Sequence, residues 1–292
     1  MGSKVCMFFL VYLISMNYVS ADCWLQDKET GRRFIIYNAL LYENMPSMSE
    51  FCIKPINVVY AWQLFNGGAK KGSFNLPRNN EIHKVVSEIK AKKLITVIDI
   101  EHWPLKDSQI NMRSIENYLS VLRSLKQEVP EIMIGYYGAV PVIDFHGSSA
   151  KKSSSRYQDW IKNNNNVQPI ADAVDATFPS LYTIDPNRER WLDNAKSVVT
   201  ESRRLAPNKP LYPFIWPNYH DQGGKYPEDA EVEADYWSMQ LLYLSQHADG
   251  IVLWGGYKQK FRNDMIWWKQ TVKFIHDHFY IRFDSQDSST SK

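Results

Sequence analysis

The sequence predicts an α/β fold in which parallel strands, covered by helices, close into a barrel. Three observations carry that expectation. Seven short apolar runs recur along the 292 residues, at 33–40, 56–64, 94–101, 132–138, 175–182, 210–216 and 249–256. Between most of them lie longer stretches with apolar residues three and four apart, such as Ile82, Val85, Val86 and Ile89, or Ile115, Tyr118, Leu119 and Leu122. Strands that alternate with amphipathic helices build a parallel sheet. The runs are also continuously apolar rather than alternating, as strands covered on both faces are. Finally, the stretch "YNALLYENMP" after the first run contains no glycine, whereas a doubly wound nucleotide-binding sheet makes its Gly-rich turn there. A closed barrel is therefore expected over an open sheet.

The remaining segments are read around that frame. Residues 1–21 combine Lys4, an apolar run from Val5 to Ile14 and the small-residue ending Val19-Ser20-Ala21, the pattern of a secretory leader. The run is too short to span a bilayer, and the polar ending "SQDSSTSK" offers no anchor. One domain over 22–292, exported to an extracellular, lysosome-like or periplasmic space as a monomer without a membrane anchor, is the expected organisation. Loss of Lys4 lowers the formal charge from +2 to about neutral, which argues against nucleic acid as a partner. Cys6 leaves with the leader, so Cys23 and Cys52 remain as a candidate disulfide in an oxidising compartment. "FNGGAKKGS" (65–73) lacks the Gly-Lys-Ser/Thr ending of a phosphate loop. "KKSSS" (151–155) and "NNNN" (163–166) read as a solvated insertion. His276 and His278 would point roughly 200° apart on a helix, so no metal site and no cofactor are expected.

Chemistry in such a barrel belongs at the C-terminal ends of the strands. There the sequence places Asp99 and Glu101, Tyr137, Tyr182, Trp216, Tyr219 and Trp254. Flat aromatic faces stack on pyranose rings, and carboxylates move protons, so the combination suits a sugar site. Strand period sends Asp99 and Glu101 to one side about 7 Å apart, with Ile98 and Ile100 facing the helices. Two neighbouring acids cannot both ionise cheaply, so one keeps its proton towards neutral pH and can act as a general acid, a role expected of Glu101. Two acids on one face of one strand do not flank a glycosidic bond as the usual acid and nucleophile do. Asp185 and Asp221 fall in loops and Asp249 precedes its strand. A substrate that brings its own nucleophile, the acetamido oxygen of an N-acetylhexosamine, resolves the difficulty.

Five collinear motifs then resemble the glycoside hydrolase family 56 hyaluronidases: "VIDIEHWP" (97–104), "GYYG" (135–138), "FPSLY" (178–182), "LYPFIWPNYHD" (211–221) and "ADGIVLWGG" (248–256). The resemblance implies a distorted TIM-like (β/α) barrel of about seven parallel strands. It implies substrate-assisted, retaining hydrolysis of β-linked N-acetylhexosaminides, with a hyaluronan-type glycosaminoglycan as the polysaccharide substrate. Glu101 would be the acid/base and Asp99 the residue that positions and stabilises the acetamido group. Tyr137 and Tyr182 would contact that group, and Tyr219, Trp254 and Trp216 would line the sugar subsite. The chain departs from the family pattern at His102 and Pro104, and "AVPVIDFHG" (139–147) lacks the family's cysteines. Rival readings are a non-catalytic glycan-binding barrel and a hydrolase of chitin- or chondroitin-like polymers. A family 18 chitinase would need acids where Leu94 and Val97 stand.

Overall fold

The computed structural model describes residues 23–66, 73–106, 111–220 and 230–283. The expected leader, most of the Gly- and Lys-rich stretch 65–73, Asp221 and the polar C-terminal stretch lie outside the described residues. The elements in chain order are β1 (Cys23–Asp27), β2 (Arg33–Leu40), a 3-10 turn (Ser49–Phe51), β3 (Ile53–Pro55), β4 (Asn57–Tyr60), α1 (Ala61–Leu64), α2 (Asn79–Lys92), β5 (Thr96–Asp99), α3 (Asn111–Glu128) and β6 (Ile134–Tyr136). They continue with α4 (Phe145–Ser148), α5 (Ser155–Asn166), α6 (Gln168–Ala173), α7 (Arg188–Leu205), β7 (Phe214–Ile215), α8 (Ala234–His247), β8 (Gly250–Gly255), α9 (Ile266–His278) and β9 (Phe279–Phe283).

Parallel pairing runs round a seven-staved ring. β4 pairs with β5 at Tyr60 and Asp99, and β5 with β6 at Ile98 and Tyr136. The extended segment 177–183 joins β6 to β7 through single bridges, Tyr137 to Phe178 on one side and Ser180 to Phe214 on the other. β7 then pairs with β8, β8 with β2 along its whole length, and β2 with β3, which leads directly into β4. The fold is thus the α/β barrel that the strand grammar predicts.

Proline explains where the staves are weak. Pro179 sits in the segment 177–183, and Pro210 and Pro213 precede a β7 of only two residues. A proline donates no ladder hydrogen bond, so pairing there is reduced to isolated bridges. At 56–64 the expected run is divided: the strand stops at Tyr60 and Ala61–Leu64 turns into helix, leaving Trp62 exposed. Ser154 caps α5 by accepting the Tyr157 N–H at 3.3 Å. The asparagine run forms the end of that helix, not a solvated insertion. Asn164 is fully buried, and its Oδ1 accepts the Val142 N–H at 2.9 Å, so an amide satisfies a backbone donor inside the core.

Sequence periodicity passed over β1, the short β3 and β9. β1 lies antiparallel to both β2 and β9, outside the barrel ring. A Cys23–Cys52 disulfide ties β1 to the turn that enters β3.

The alternation within β5 is as expected. Val97 packs inside the barrel with Tyr37, Phe178, Tyr182, Phe214 and Val252. Ile98 and Ile100 face outward into a separate cluster with Val85, Val86 and Ile89 of α2 and Tyr118 and Leu122 of α3. The aromatic plug inside the barrel separates a cavity at its C-terminal mouth from one at the N-terminal ends of the strands, lined by Arg33, Ile35, Pro210, Tyr212 and Asp249.

Candidate active site

Asp99 ends β5, and Glu101 follows in the loop at the mouth. Both flanks of Glu101 are pinned. The Ile100 side chain is buried, and its carbonyl accepts the Tyr118 hydroxyl at 2.5 Å. Trp103 is buried two residues beyond Glu101, and its Nε1–H donates to the Ser73 carbonyl at 3.1 Å. Glu101 is thereby held facing the cleft from a stretch of backbone anchored on both sides.

Asp99 is half-buried and Glu101 is open along the cleft. Burial, then the charge of Glu101, push the Asp99 carboxyl up to about 7. Burial also raises Glu101, partly opposed by His220. A close pair of carboxyls shares its protons. The sequence places the retained proton on Glu101. In the structure the deeper Asp99 holds it more firmly in the free protein, because more protein atoms separate it from water.

Aromatic rings wall the site. Tyr182 stacks on Trp254 with centroids 5.6 Å apart and planes 20° from parallel, while Trp216 meets Trp254 edge-on at 5.2 Å. Tyr137 lies tilted against Tyr182 at 5.9 Å. The Tyr182 hydroxyl donates to that of Tyr137, which donates to Ser180 Oγ at 3.0 Å. Burial raises both phenols, so they remain protonated donors across the ordinary pH range. Trp254 Nε1–H donates to the Tyr60 hydroxyl at 3.1 Å. Trp216 approaches so closely that a Cβ on Gly255 would sit 2.4 Å from its ring, and Gly255 has φ +130°. Glycine is therefore required there for two separate reasons.

The mouth holds a cavity of about 290 Å³ lined by Asp99, Glu101, Tyr137, Tyr182, Trp216 and Trp254 together with His220. A neighbouring lobe of about 180 Å³ shares Glu101, Tyr137, Tyr182 and His220, and extends over Lys106, Asp144 and His146. Six of the seven sequence-selected residues thus converge. Tyr219 is placed elsewhere. It is buried in the cluster between barrel and helices, and its hydroxyl donates to Glu233 Oε2 at 2.7 Å. The residue after it, His220, faces the cleft instead.

Three further features escape sequence reasoning. Tyr60 lies opposite Asp99 in register, but the misjudged end of its strand conceals that. His220 differs from Tyr219 by one step of an extended chain, which reverses the side a residue faces. Asp144 lines the outer lobe from the N-cap of a four-residue helix, where it accepts the Gly147 N–H at 3.1 Å and lies 3.7 Å from Lys106 Nζ. A helix this short has no periodic signal to read.

Comparison with solved structures places this architecture among carbohydrate-cleaving barrels. Bee venom hyaluronidase superposes with a TM-score of 0.58 at 14% identity, over 83% of this chain and 96% of that one. The same enzyme in complex with a hyaluronic acid tetramer gives 0.59 at 15% identity, over 83% and 95%. An endo-1,4-beta-D-mannanase from Thermotoga petrophila gives 0.50 at 13% identity, over 78% and 76%. The chain has a glycoside-hydrolase barrel fold. No protein-family model matches the sequence, and no curated protein matches it.

Proposed function

We propose that this protein is a secreted retaining glycosidase that cleaves β-linked N-acetylhexosaminides, with a hyaluronan-type polymer as substrate, using the acetamido group of the substrate as nucleophile. The observation that carries the reading is the placement of the carboxylates. Asp99 and Glu101 share one side of the mouth. The third carboxylate that lines the cleft among the described residues, Asp144, is engaged by Gly147 and Lys106. Among the described residues no free carboxylate is then left across the bond to attack the anomeric carbon, and the substrate supplies that atom.

The geometry supports the following course. The sugar enters the 290 Å³ cavity against Trp216 and Trp254. Its amide N–H donates to Asp99, which favours the ionised form of that carboxyl and leaves the shared proton on Glu101. The acetamido oxygen, held by the Tyr182 and Tyr137 hydroxyls once these turn from Tyr137 and Ser180 towards the substrate, attacks the anomeric carbon. The bond to the leaving oxygen breaks, and Glu101 protonates that oxygen. Asp99, now anionic, stabilises the positive oxazolinium ion. Glu101 then takes a proton from water as the water opens the ring, and two inversions restore the original anomer. The Cys23–Cys52 disulfide fits an oxidising compartment and so supports export. The choice of hyaluronan rests on the five motifs and on likeness to the bee enzyme.

The test is to incubate the purified protein with hyaluronan, chondroitin and chitin oligomers and follow new reducing ends. Cleavage of hyaluronan, with the β-anomer released first by NMR, is expected. Binding without cleavage of any of the three would favour the non-catalytic glycan-binding reading.

A further inference from the structure

We infer that β9 is a docking edge for a second copy of this chain, with two β9 strands pairing antiparallel about a two-fold axis at Ile281. The monomer expected from the sequence leaves this edge bare. Among the described residues β9 (Phe279–Phe283) is the last strand of its sheet, paired with β1 on one side only. The Lys28 N–H donates to the His278 carbonyl at 2.9 Å, while the Asp27 N–H turns the other way, to the Arg32 carbonyl at 2.9 Å. Backbone groups alternate along an antiparallel ladder, so Tyr280 and Arg282 direct theirs at β1. The N–H and C=O of Ile281 and Phe283, and the C=O of Phe279, therefore point off the sheet. The Phe279 N–H is already spent on the Ile275 carbonyl of α9.

A row of free donors and acceptors is a template for another strand. This one carries no proline and a single charge, Arg282. Its side chains are apolar where solvent meets them. Phe279 is buried against Phe34 and Phe274, with ring centroids 5.5 and 5.4 Å away. The row it begins then runs out of the core, for Ile281 is 36% exposed and Phe283 64%. On the other face Tyr280 is 51% exposed, and the Arg282 guanidinium lies 5.1 Å from its ring centroid.

The order of residues selects the occupant. Read backwards, "FYIRF" still sets Phe on Phe and Ile on Ile. About a dyad at Ile281, Phe279 faces Phe283 of the second copy, and each Tyr280 faces Arg282 of the second copy. Ile281 exchanges backbone bonds with itself, so the Tyr280–Arg282 pairs fall at the unbonded positions, where side chains approach most closely. The cation–π contact made within one strand is repeated across the dyad, and no like charges meet. Such an isologous contact closes at two copies. A five-residue edge covers less than the about 1,600 Å² of a standard interface, so the dimer is weak and forms with concentration.

The experiment is sedimentation of the full chain from low-micromolar to near-millimolar concentration, with amide exchange measured at both ends of the range. The parent is expected to pass from monomer to dimer, and exchange at the Ile281 and Phe283 N–H groups to slow by about tenfold or more, while Tyr280, bonded to β1, changes little. Ile281→Lys and Ile281→Glu each set like charges opposite one another across the dyad without touching the ladder to β1. Each is expected to stay monomeric with its fold intact, and an equimolar mixture of the two to recover the dimer. A monomeric parent at the highest concentration, dimers of both variants alone, or no dimer on mixing would overturn the inference. Protection of the Ile281 N–H at every concentration, lost on deletion of residues 284–292, would also overturn it, because the chain's own C-terminal stretch would then occupy the edge. No arm uses a glycan, so the outcome is independent of the glycosidase reading.

Discussion

Asp99 and Glu101 are two residues apart and differ in depth, and in the proposed mechanism depth divides their roles. Glu101→Gln preserves shape but cannot transfer a proton, so kcat should fall by roughly 10²–10⁴ while substrate still binds. Steady-state rates alongside calorimetric binding check this, and near-parental turnover would remove Glu101 from the chemistry. Asp99 makes a prediction about stability. Its carboxyl is raised to about 7 in the folded protein, above the value of an exposed aspartate. Below about pH 4 it is protonated in both folded and unfolded states and costs nothing, but as pH rises through 7 the unfolded state gains from ionising it more readily. Asp99→Asn should therefore stabilise the protein by ~1–4 kcal/mol at pH 8 and by little at pH 4, while abolishing most turnover. Denaturant melts at the two pH values test it. A variant equally or less stable at pH 8 would show that Asp99 is not strained by burial. Both acids were legible because strand period assigns sides from sequence alone. Tyr219 and His220 were not separable, because beyond β7 the chain bends through Pro217 and the side each residue faces is set by the turn.

At the scale of elements, the long unbroken runs were the readable ones. β2, β5 and β8 lie within their sequence-derived ranges because continuous apolar strands have one solution in a barrel covered by helices. The segment 177–183 and β7 were located but overestimated as strands, since their prolines remove ladder donors. β9 was missed because its partner β1 lies more than 250 residues away and no local pattern announces such a pairing, and β1, a five-residue strand that turns back onto β2, carries no continuous apolar run. The disulfide is the covalent hold on that outer layer, closing a loop with a sequence separation of 29. Replacing both Cys23 and Cys52 by alanine should cost about 3 kcal/mol, seen as a fall in Tm that added reductant reproduces in the parent. No change in Tm would mean that β1 is held by its pairing alone. Gly255 links an element to the site. Gly255→Ala drives a methyl group into Trp216 and strains a positive φ, so it should weaken sugar affinity tenfold or more as well as lower Tm. Tryptophan fluorescence titration with oligosaccharide checks it, and unchanged affinity would place Trp216 outside the subsite.

For the molecule as a whole, closure of the ring brings strand ends that are far apart in sequence to one mouth. Asp99 at the end of β5 and Glu101 in the loop after it share the cleft with a tryptophan from β8, Tyr137 after the adjacent β6 and Tyr182 of the segment 177–183. The barrel supplies rigidity through its interior, filled by Tyr37, Tyr212, Phe178 and Phe214, and the cleft with the two acids at the top. This division explains why the architecture was readable from the pattern of strands and helices, whereas the cleft's outer lobe, built from short loops and α4, was not. The central claim is that the protein provides proton transfer and charge but no nucleophile. It is tested most directly by comparing kcat/KM for one oligosaccharide in its N-acetylated form and after chemical removal of the acetyl groups. The account predicts turnover of the first and none measurable for the second, with binding of both still detectable. Comparable hydrolysis of the two would contradict it, because a nucleophile would then have to come from the protein.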